Sequence, residues 1–313
     1  MPVKKILIEL PTWLGDCIMA TPAIENIVNF YKDVQITFIG SKISTQAMRY
    51  HPKTKETLIL KKNILDLKKI REFGETFDAY FSFRSSLRSR VLKLFSCSRN
   101  KYQFSKDKYD SGHQVEKYNN FVNDSLSIDY KPGNLKIYKR PNPEDKKFSK
   151  PTVGINPGAS YGSAKRWSTK GFSEVVKELS KEYDILIFGG PSEQDIAMEI
   201  ENELKKSKIS NYQNLAGQTD IEELIDLVSN LSLFITGDSG PMHIAAAFQI
   251  PTVAIFGPTR DKETSQWMNK RNFIVKKNLE CQPCMKRSCP LGHHHCMNLI
   301  EPKDVLDAVR SLN

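Results

Sequence analysis

Residues 234–247 have the composition of a phosphate-binding turn between a β-strand and an α-helix. An apolar run ends at Thr236, small residues follow, and a helical pattern opens on Pro241, a residue favoured in the first helical turn. Backbone amides at such a helix start, together with the helix dipole, attract anions. The segment Asp238-Ser239-Gly240-Pro241-Met242-His243 therefore predicts an anion site. The alternative is an ordinary turn in which Asp238 or Ser239 caps the helix and His243 is structural.

A second stretch, residues 156–167, places hydroxyl groups ahead of cations in a glycine-containing loop. Ser160 and Tyr161 precede Lys165, and the loop follows a predicted strand that ends at Asn156. Such a loop suits a diphosphate, because Ser160 can donate a hydrogen bond to a phosphate oxygen. Lys165 would then neutralise the charge of a leaving group as a compact point charge. The alternative is a surface loop with solvated basic residues.

The turn Trp13-Leu14-Gly15-Asp16 sets a carboxylate between the first predicted strand, residues 6–9, and the helix that follows it. A carboxylate at the carboxyl end of a strand is well placed to accept a proton as a general base. The same position also suits an N-cap of the helix. The sequence alone is compatible with both roles of Asp16.

Four of the six cysteines lie close together near the end of the chain. Cys281, Cys284, Cys289 and Cys296 follow the spacing Cys-x2-Cys-x4-Cys-x6-Cys, and three consecutive histidines lie inside it. This spacing resembles a zinc ligand set. A chain of 313 residues buries enough surface that its core needs no metal ion or disulfide, however. We therefore expect reduced, partly buried thiols, with a structural zinc ion and redox chemistry as the alternatives.

Charge is distributed unevenly along the chain, whose net charge is +10. Residues 1–150 hold 28 Lys and Arg against 16 Asp and Glu, a net of +12, whereas residues 151–313 hold 18 against 20, a net of −2. One interpretation is a solvated basic face. The other is that the first half meets a polyanion: nucleic acid, an anionic membrane surface or a phosphorylated substrate.

The composition excludes several classes of protein. Hydrophobic residues make up 39% of the chain and Gly and Pro number 16 each, which rules out collagen-like, mucin-like and wholly disordered chains. No run approaches the roughly 20 apolar residues of a membrane span, and the apolar run near the N-terminus is too short for a signal peptide. We expect a cytoplasmic protein with reduced cysteines. Dinucleotide-binding glycine patterns, a Walker loop and an aromatic-basic RNA-binding signature are all missing.

Apolar runs and helical patterns alternate in both halves of the chain. Strands are predicted at residues 6–9, 34–40, 78–83, 152–156, 184–190, 233–236 and 252–256, and helices near residues 22–28, 66–73, 86–95, 169–182, 193–205, 221–229, 241–248 and 304–312. Residues 100–139 give no clear periodicity, and the Pro-rich, charged residues 139–147 read as a linker. This alternation predicts two doubly wound α/β units, which bind ligands at the carboxyl ends of their strands.

These motifs, taken in order, resemble the ADP-heptose:lipopolysaccharide heptosyltransferases of glycosyltransferase family 9. The resemblance lies in residues 8–16 with Pro22-Ala23-Ile24, in Asn156-Pro157-Gly158-Ala159, in Ala164-Lys165-Arg166-Trp167, in residues 238–243 and in Phe256-Gly257-Pro258-Thr259. The cysteine-rich segment is most like the heptosyltransferase II branch. The match spans residues 5–310 and is weak between residues 41 and 150.

The resemblance implies a GT-B fold, in which two Rossmann-like domains face each other across a cleft. An acceptor-binding domain would occupy residues 1–145 and a donor-binding domain residues 146–313. The last helix is expected to pack back on the first domain. The implied reaction transfers L-glycero-D-manno-heptose from ADP-heptose to the first heptose of the lipopolysaccharide or lipooligosaccharide inner core. It is an inverting transfer that needs no metal or other cofactor.

The resemblance also implies a role for individual residues. Asp16 would be the general base, with Trp13 and Gly15 beside the acceptor. Donor binding would fall to Ser160, Tyr161, Lys165, Glu193, Asp238, Ser239, Gly240, Pro241, Met242 and His243. Among these, Asp238 would orient the sugar hydroxyls and Glu193 would bind the ribose.

The implied partners are ADP-heptose, a heptosylated Kdo-lipid A acceptor and the anionic surface of the inner membrane, with no nucleic acid. The enzyme would be cytoplasmic and peripherally attached to that membrane. Heptosyltransferase I or another core heptosyltransferase is the nearest alternative. A basic, non-enzymatic protein that binds nucleic acid or a membrane surface is the alternative from a different class.

Overall fold

The computed structural model describes residues 3–61, 76–141 and 150–312, and the chain divides into two compact units, Met1–Pro141 and Asn142–Asn313. The boundary expected at residues 145 and 146 and most of the expected linker lie outside the described residues. The helix expected at residues 66–73 lies outside them as well. Among the described residues, no helix combines the length and apolar character that crossing a membrane requires.

The first domain is a five-stranded parallel sheet with helices between its strands. Its elements are β1 (Lys4–Glu9), α1 (Leu14–Met19), α2 (Thr21–Tyr31), β2 (Val34–Gly40), α3 (Lys42–Ala47), β3 (Thr54–Ile59), β4 (Phe77–Ser82), α4 (Leu87–Phe95), β5 (Ser98–Gln103) and α5 (Gln114–Leu126). The strand order is β3-β2-β1-β4-β5. The sheet reverses its winding direction at β1, so the turns after β1 and β4 meet at the carboxyl edge where doubly wound sheets bind ligands.

The second domain is a six-stranded parallel sheet of the same type. It contains β6 (Thr152–Asn156), α6 (Thr169–Leu179), β7 (Asp184–Ile187), α7 (Gln194–Lys206), β8 (Tyr212–Asn214), α8 (Ile221–Val228), β9 (Leu233–Gly237), α9 (Gly240–Ala247), β10 (Thr252–Ile255), α10 (Asp261–Thr264), β11 (Asn272–Val275), α11 (His295–Asn298) and α12 (Pro302–Arg310). The strand order is β11-β10-β9-β6-β7-β8, with single 3-10 turns at Ser163–Lys165 and Pro191–Glu193. The turns after β6 and β9 are therefore neighbours.

All seven strands expected from the sequence are present, and they are the central strands of the two sheets. The four strands that the sequence does not predict, β3, β5, β8 and β11, are the four edge strands. Residues 100–139, which showed no periodicity, contain the end of β5 and the amphipathic helix α5. The prediction of doubly wound α/β units is confirmed.

The last helix, α12, buries its apolar face within the second domain. Val305, Ala308 and Val309 are at most 5% exposed and belong to the same core as Phe172 and Ile255. The expectation that this helix packs back on the first domain stays a prediction. Trp167 fixes the adjoining loop, because its indole Nε1 donates a 2.9 Å hydrogen bond to the carbonyl of Ile300.

Gly154 in β6 lies where the sheet is packed most tightly. A Cβ at this position would lie 2.5 Å from Leu231 Cδ1 and 2.9 Å from atoms of Phe188 and Phe234. We expect Gly154→Ala to destabilise the second domain by about 1–3 kcal/mol, as overpacking of cores does. The urea midpoint, followed by tryptophan fluorescence, measures this loss.

Gly133→Ala is the matched control, because a Cβ there would meet no atom within 4 Å. The control should keep the wild-type midpoint. Equal midpoints for both variants would contradict the close packing around Gly154.

Candidate functional site

A lysine–aspartate pair joins two neighbouring turns at the carboxyl edge of the second sheet. Lys165 follows β6 and Asp238 follows β9, and the Lys165 Nζ lies 2.5 Å from Asp238 Oδ2 and 3.3 Å from its carbonyl oxygen. Both side chains are largely buried, with 12% and 7% exposure. Removing one partner would leave a buried charge without compensation, so the pair holds the two turns together.

Two threonines complete the surroundings of the Asp238 carboxylate. Thr259 Oγ1 donates a 2.7 Å hydrogen bond to Oδ2, and Thr264 Oγ1 donates a longer one of 3.4 Å to Oδ1. Both come from the segment after β10, so three successive strand ends of the sheet meet at one carboxylate. The carboxylate is thereby fixed in direction.

The turn between β9 and α9 is not closed by a side-chain cap. Ser239 occupies the N-cap position but makes no capping hydrogen bond, and its hydroxyl instead lies 2.9 Å from Thr236 Oγ1 and 3.4 Å from Asn156 Nδ2. The interpretation of Asp238 or Ser239 as a cap is therefore wrong. Gly240 and Pro241 open the helix and are partly exposed.

Met242 and His243 lie below this turn rather than on its surface. Their side chains are 0% and 2% exposed, and Met242 packs against Ala254 and Phe256. The backbone amide of Met242 donates to the Ser239 carbonyl at 3.2 Å. Both side chains support the turn from the core side, and the donor contacts that the resemblance implies for these two residues stay a prediction.

Glu193 lies in a 3-10 turn that follows β7, next to the β6 turn. It is 5% exposed, and its Oε2 accepts a 2.8 Å hydrogen bond from the amide of Gly190. Its carboxylate occupies the space where a side chain on Gly158 would be, so glycine is required there. The structure thus brings Glu193 to the same sheet edge as the loop that carries Lys165.

Tyr161 anchors the Lys165 loop from above. Its ring centroid lies 4.7 Å from Lys165 Nζ and 5.4 Å from Arg287 Cζ, and its hydroxyl donates to the Met285 carbonyl at 2.8 Å. Cations over an aromatic face are attracted by its quadrupole. Ser160, in contrast, is exposed.

In the first domain, Asp16 lies inside a helix rather than at its cap. Trp13 is the N-cap residue of α1 and makes no side-chain cap, and Asp16 falls in the first helical turn. The N-cap role considered for Asp16 is therefore wrong. Asp16 is half-buried, Gly15 lies beside it, and Trp13 is 53% exposed. Burial, followed by the charge of Asp16, raises the pKa of Tyr118 well above its ordinary value.

The four clustered cysteines line one small cavity. Its volume is about 20 Å³, and His293 and His294 line it as well. Among the described residues, no three His, Cys, Asp or Glu side chains are arranged to hold a metal ion. None of the six cysteines forms a disulfide. The structural zinc ion and the reduced, partly buried thiols both stay predictions.

The loop that carries the four clustered cysteines, residues 281–296, is called the cysteine loop below. It also holds the loop that carries Lys165 in place. The amide of Ala164 donates to the Arg287 carbonyl at 3.0 Å, and His294 Nε2 lies 2.8 Å from the Ala164 carbonyl oxygen. Gly162 adopts φ +156° against Arg287, where a Cβ would clash with the backbone. The residue before Lys165 is thus hydrogen-bonded through both its amide and its carbonyl.

The family model for glycosyltransferase family 9 (heptosyltransferase) matches residues 83–295. The lipooligosaccharide heptosyltransferase 2 of Campylobacter jejuni is 42% identical over 98% of both chains. This chain belongs to glycosyltransferase family 9. Across 98% of both chains, its fold superposes on E. coli ADP-heptose lipopolysaccharide heptosyltransferase II with a TM-score of 0.82 at 22% identity. E. coli heptosyltransferase WaaC with ADP superposes with a TM-score of 0.77 at 13% identity, over 99% of this chain and 100% of that one.

Membership of family 9 confirms the resemblance drawn from the sequence and the GT-B class of two Rossmann-like domains. It makes the chain a glycosyltransferase, so the non-enzymatic scaffold is wrong. The structure adds residues that the sequence analysis missed. Thr259 lay within a quoted motif without a role, whereas Thr264 and Arg287 carried no signal, because their contacts depend on which strand ends are neighbours.

The cysteine loop of this family 9 enzyme yields a test by alkylation. Backbone N–H groups, foremost that of His294, lower the pKa of Cys289, whereas burial and then the neighbouring thiols raise the pKa of Cys296. Because the thiolate is the nucleophile, iodoacetamide should label Cys289 at lower pH than Cys296. Peptide mapping by mass spectrometry across a pH series measures both.

The exposed Cys97 serves as the reference for reagent activity in the same samples. The reverse order of labelling would contradict the hydrogen bonds to Cys289. If all four clustered cysteines instead resist labelling by iodoacetamide until a chelator is added, they hold a bound metal ion.

Proposed function

We propose that this enzyme transfers L-glycero-D-manno-heptose from ADP-heptose to the first heptose of the lipopolysaccharide or lipooligosaccharide inner core. The observation that carries the proposal is the buried cation of Lys165, fixed by Asp238 at the carboxyl edge of a Rossmann-like sheet. Support for the acceptor comes from the Campylobacter relative, a heptosyltransferase 2 that is similar over nearly the full length. Support for the donor comes from the match to a heptosyltransferase solved with ADP-2-deoxy-2-fluoro heptose.

Lys165 is suited to stabilise the departing ADP. An ammonium group has three N–H donors, of which two are directed at Asp238. The third donor is assigned to a phosphate oxygen of the donor. Because the ammonium is largely buried, it acts in a medium of low dielectric constant and needs little reorganisation as negative charge grows on the diphosphate. Amides at the start of α9 and the exposed hydroxyl of Ser160 add to this stabilisation.

Asp238 and Glu193 are assigned to the sugar and the ribose of the donor. The threonines and Lys165 fix the Asp238 carboxylate, so it can accept hydrogen bonds from the heptose hydroxyls without moving. Glu193 is held by Gly190 and lies against the loop after β6, which suits a carboxylate that accepts from ribose hydroxyls. Carboxylates at such positions discriminate between sugars by the direction of their hydrogen bonds.

Asp16 is assigned the proton of the acceptor hydroxyl. As that proton moves to the Asp16 carboxylate, the acceptor oxygen forms a bond to the anomeric carbon of heptose from the face opposite the diphosphate. The bond between the anomeric carbon and the phosphate oxygen breaks, and the configuration inverts. Trp13 and Gly15 in the same turn provide an exposed aromatic surface and a close approach for the acceptor sugar.

The direct test is turnover with ADP-heptose and a purified acceptor that carries one heptose. We expect release of ADP together with a product that is one heptose heavier, measured by mass spectrometry. Parallel reactions use an acceptor without heptose and one with two. Preference for the acceptor without heptose would contradict the proposed acceptor and assign a heptosyltransferase I activity, while binding of ADP without any product would leave only the donor site.

Variants at Asp16 and Lys165 separate the two parts of the mechanism. Asp16→Asn should lower kcat by roughly 10²–10⁴ while ADP binds with unchanged affinity, because loss of a general base affects only the chemical step. Lys165→Ala should weaken ADP binding by about tenfold or more and lower kcat as well, because a charge-assisted hydrogen bond is lost. Calorimetric titration with ADP and initial rates give both quantities.

Asp33→Asn and Lys170→Ala are the matched controls, because both change an exposed charge in the same domain as the tested residue. Both controls should behave like the wild-type enzyme. A kcat within a few-fold of wild type in Asp16→Asn would exclude a general base at that position.

A further inference from the structure

Helix α4 presents an apolar stripe outward instead of toward the core. Leu87 and Leu94 are 75% and 72% exposed, the highest values among large apolar side chains in the described residues, and Phe95 is 46% exposed. Leu94 and Phe95 follow Leu87 by seven and eight residues, so the three side chains lie on one face of the helix. The opposite face is the buried one, through Ser89 and Leu92.

The segment around this helix carries only positive charge. Residues 79–106 contain no Asp or Glu, and their seven cations are Arg84, Arg88, Arg90, Lys93, Arg99, Lys101 and Lys106. Arg90 and Arg99 are exposed, and Lys93 is partly exposed. Lys101 Nζ donates a 3.1 Å hydrogen bond to the Leu94 carbonyl, which places a cation at the carboxyl end of the helix beside the apolar stripe.

We propose that Leu87, Leu94 and Phe95, with Arg90, Lys93 and Arg99 around them, form the surface that docks this enzyme on an anionic lipid bilayer. An exposed apolar stripe flanked by cations is the pattern of helices that lie in the membrane interface. The leucines and the phenylalanine would enter the headgroup region, and the cations would meet lipid phosphates. A nucleic acid would engage the cations but would give the leucine side chains no apolar partner.

The docking surface is tied to the turn that carries Asp16. Glu9, fully buried at the end of β1, accepts a 2.8 Å hydrogen bond from Ser89 Oγ of α4, and Arg84 Nη1 lies 3.5 Å from the same carboxylate oxygen. Tyr80 and Ser82 donate to its other oxygen at 2.7 Å and 2.6 Å. The residues between Glu9 and Asp16 start from this anchor, so docking through α4 fixes the height of the Asp16 turn above the bilayer.

This inference rests on the proposed function in one respect. Docking would bring the enzyme to its acceptor, because the proposed acceptor is held in a membrane by its acyl chains. Docking itself is a property of the surface and can be measured without any transfer reaction. Failure of heptosyl transfer and failure of docking are therefore separate results.

The test is flotation of the full-length protein with vesicles of phosphatidylcholine, alone or with phosphatidylglycerol at about a third of the lipid. We expect binding to the anionic vesicles that weakens as salt is raised. The double variant Leu87→Ser with Leu94→Ser should bind at least tenfold more weakly, because its apolar contribution is lost. Arg90→Gln and Arg99→Gln should each weaken binding to the anionic vesicles roughly fivefold.

Leu299→Ser and Lys170→Gln are the matched controls, since both change exposed side chains of the second domain. Both should keep the wild-type affinity for vesicles. Wild-type binding by the double leucine variant would overturn the proposal, and so would binding to a single-stranded RNA in preference to anionic vesicles.

A second readout reports insertion directly. Leu94→Trp should gain fluorescence that brominated phospholipids quench, and absence of quenching in vesicle-bound protein would overturn the proposal. The double leucine variant should also keep wild-type rates on a core oligosaccharide without acyl chains while losing rate on the same core in vesicles. Equal losses on both substrates would assign the leucines a role in folding.

Discussion

The buried ion pair between Lys165 and Asp238 is the constraint on which the proposed donor site depends. A lysine that is 12% exposed needs a compensating charge, and Asp238 supplies it because the β6 and β9 turns lie side by side. The remaining contacts follow from that need. Thr259 holds the carboxylate, Tyr161 covers the ammonium group, and the cysteine loop fixes Ala164, the residue next to the lysine. The charge that would meet a diphosphate is thus set in place before any ligand arrives.

The parts of the fold that could be predicted from the sequence are the parts that are buried on both faces. The central strands read as continuous apolar runs, as in Ile6–Glu9 and Leu233–Thr236, because both faces of a parallel sheet are covered by helices. An edge strand has one partner and mixed surroundings. Thr54–Ile59 and Ser98–Gln103 have no fully buried residue, so their sequences carry no periodic signal. They are strands because the neighbouring strand offers hydrogen bonds, a fact of tertiary structure.

The candidate site divides in the same way. Lys165, Asp238 and Asp16 could be located because each follows a readable strand, and parallel strands bring their carboxyl ends to one edge. The residues that contact them could not be located from the sequence. Arg287 contacts Tyr161 although more than a hundred residues separate them in the sequence. Glu9, at the end of β1, likewise accepts a hydrogen bond from Ser89 in α4. The burial of Met242 and His243 could not be predicted from the sequence either, because it depends on which face of α9 packs on the sheet.

The uneven charge of the chain has a physical reason in the two kinds of site. In the second domain the buried cation of Lys165 is paired with the acid Asp238. Residues 151–313 as a whole hold 18 Lys and Arg against 20 Asp and Glu. In the first domain Arg90 and Arg99 are exposed, so water solvates their charges, whereas the largely buried Arg84 lies against the carboxylate of Glu9. An excess of positive charge is therefore tolerated only where it stays exposed, and an exposed, uncompensated cluster attracts anions over about a Debye length of 8–10 Å. The cations lie around Leu87 and Leu94. They would attract the anionic bilayer at a distance, and the leucines would add apolar contact once the protein has reached the bilayer.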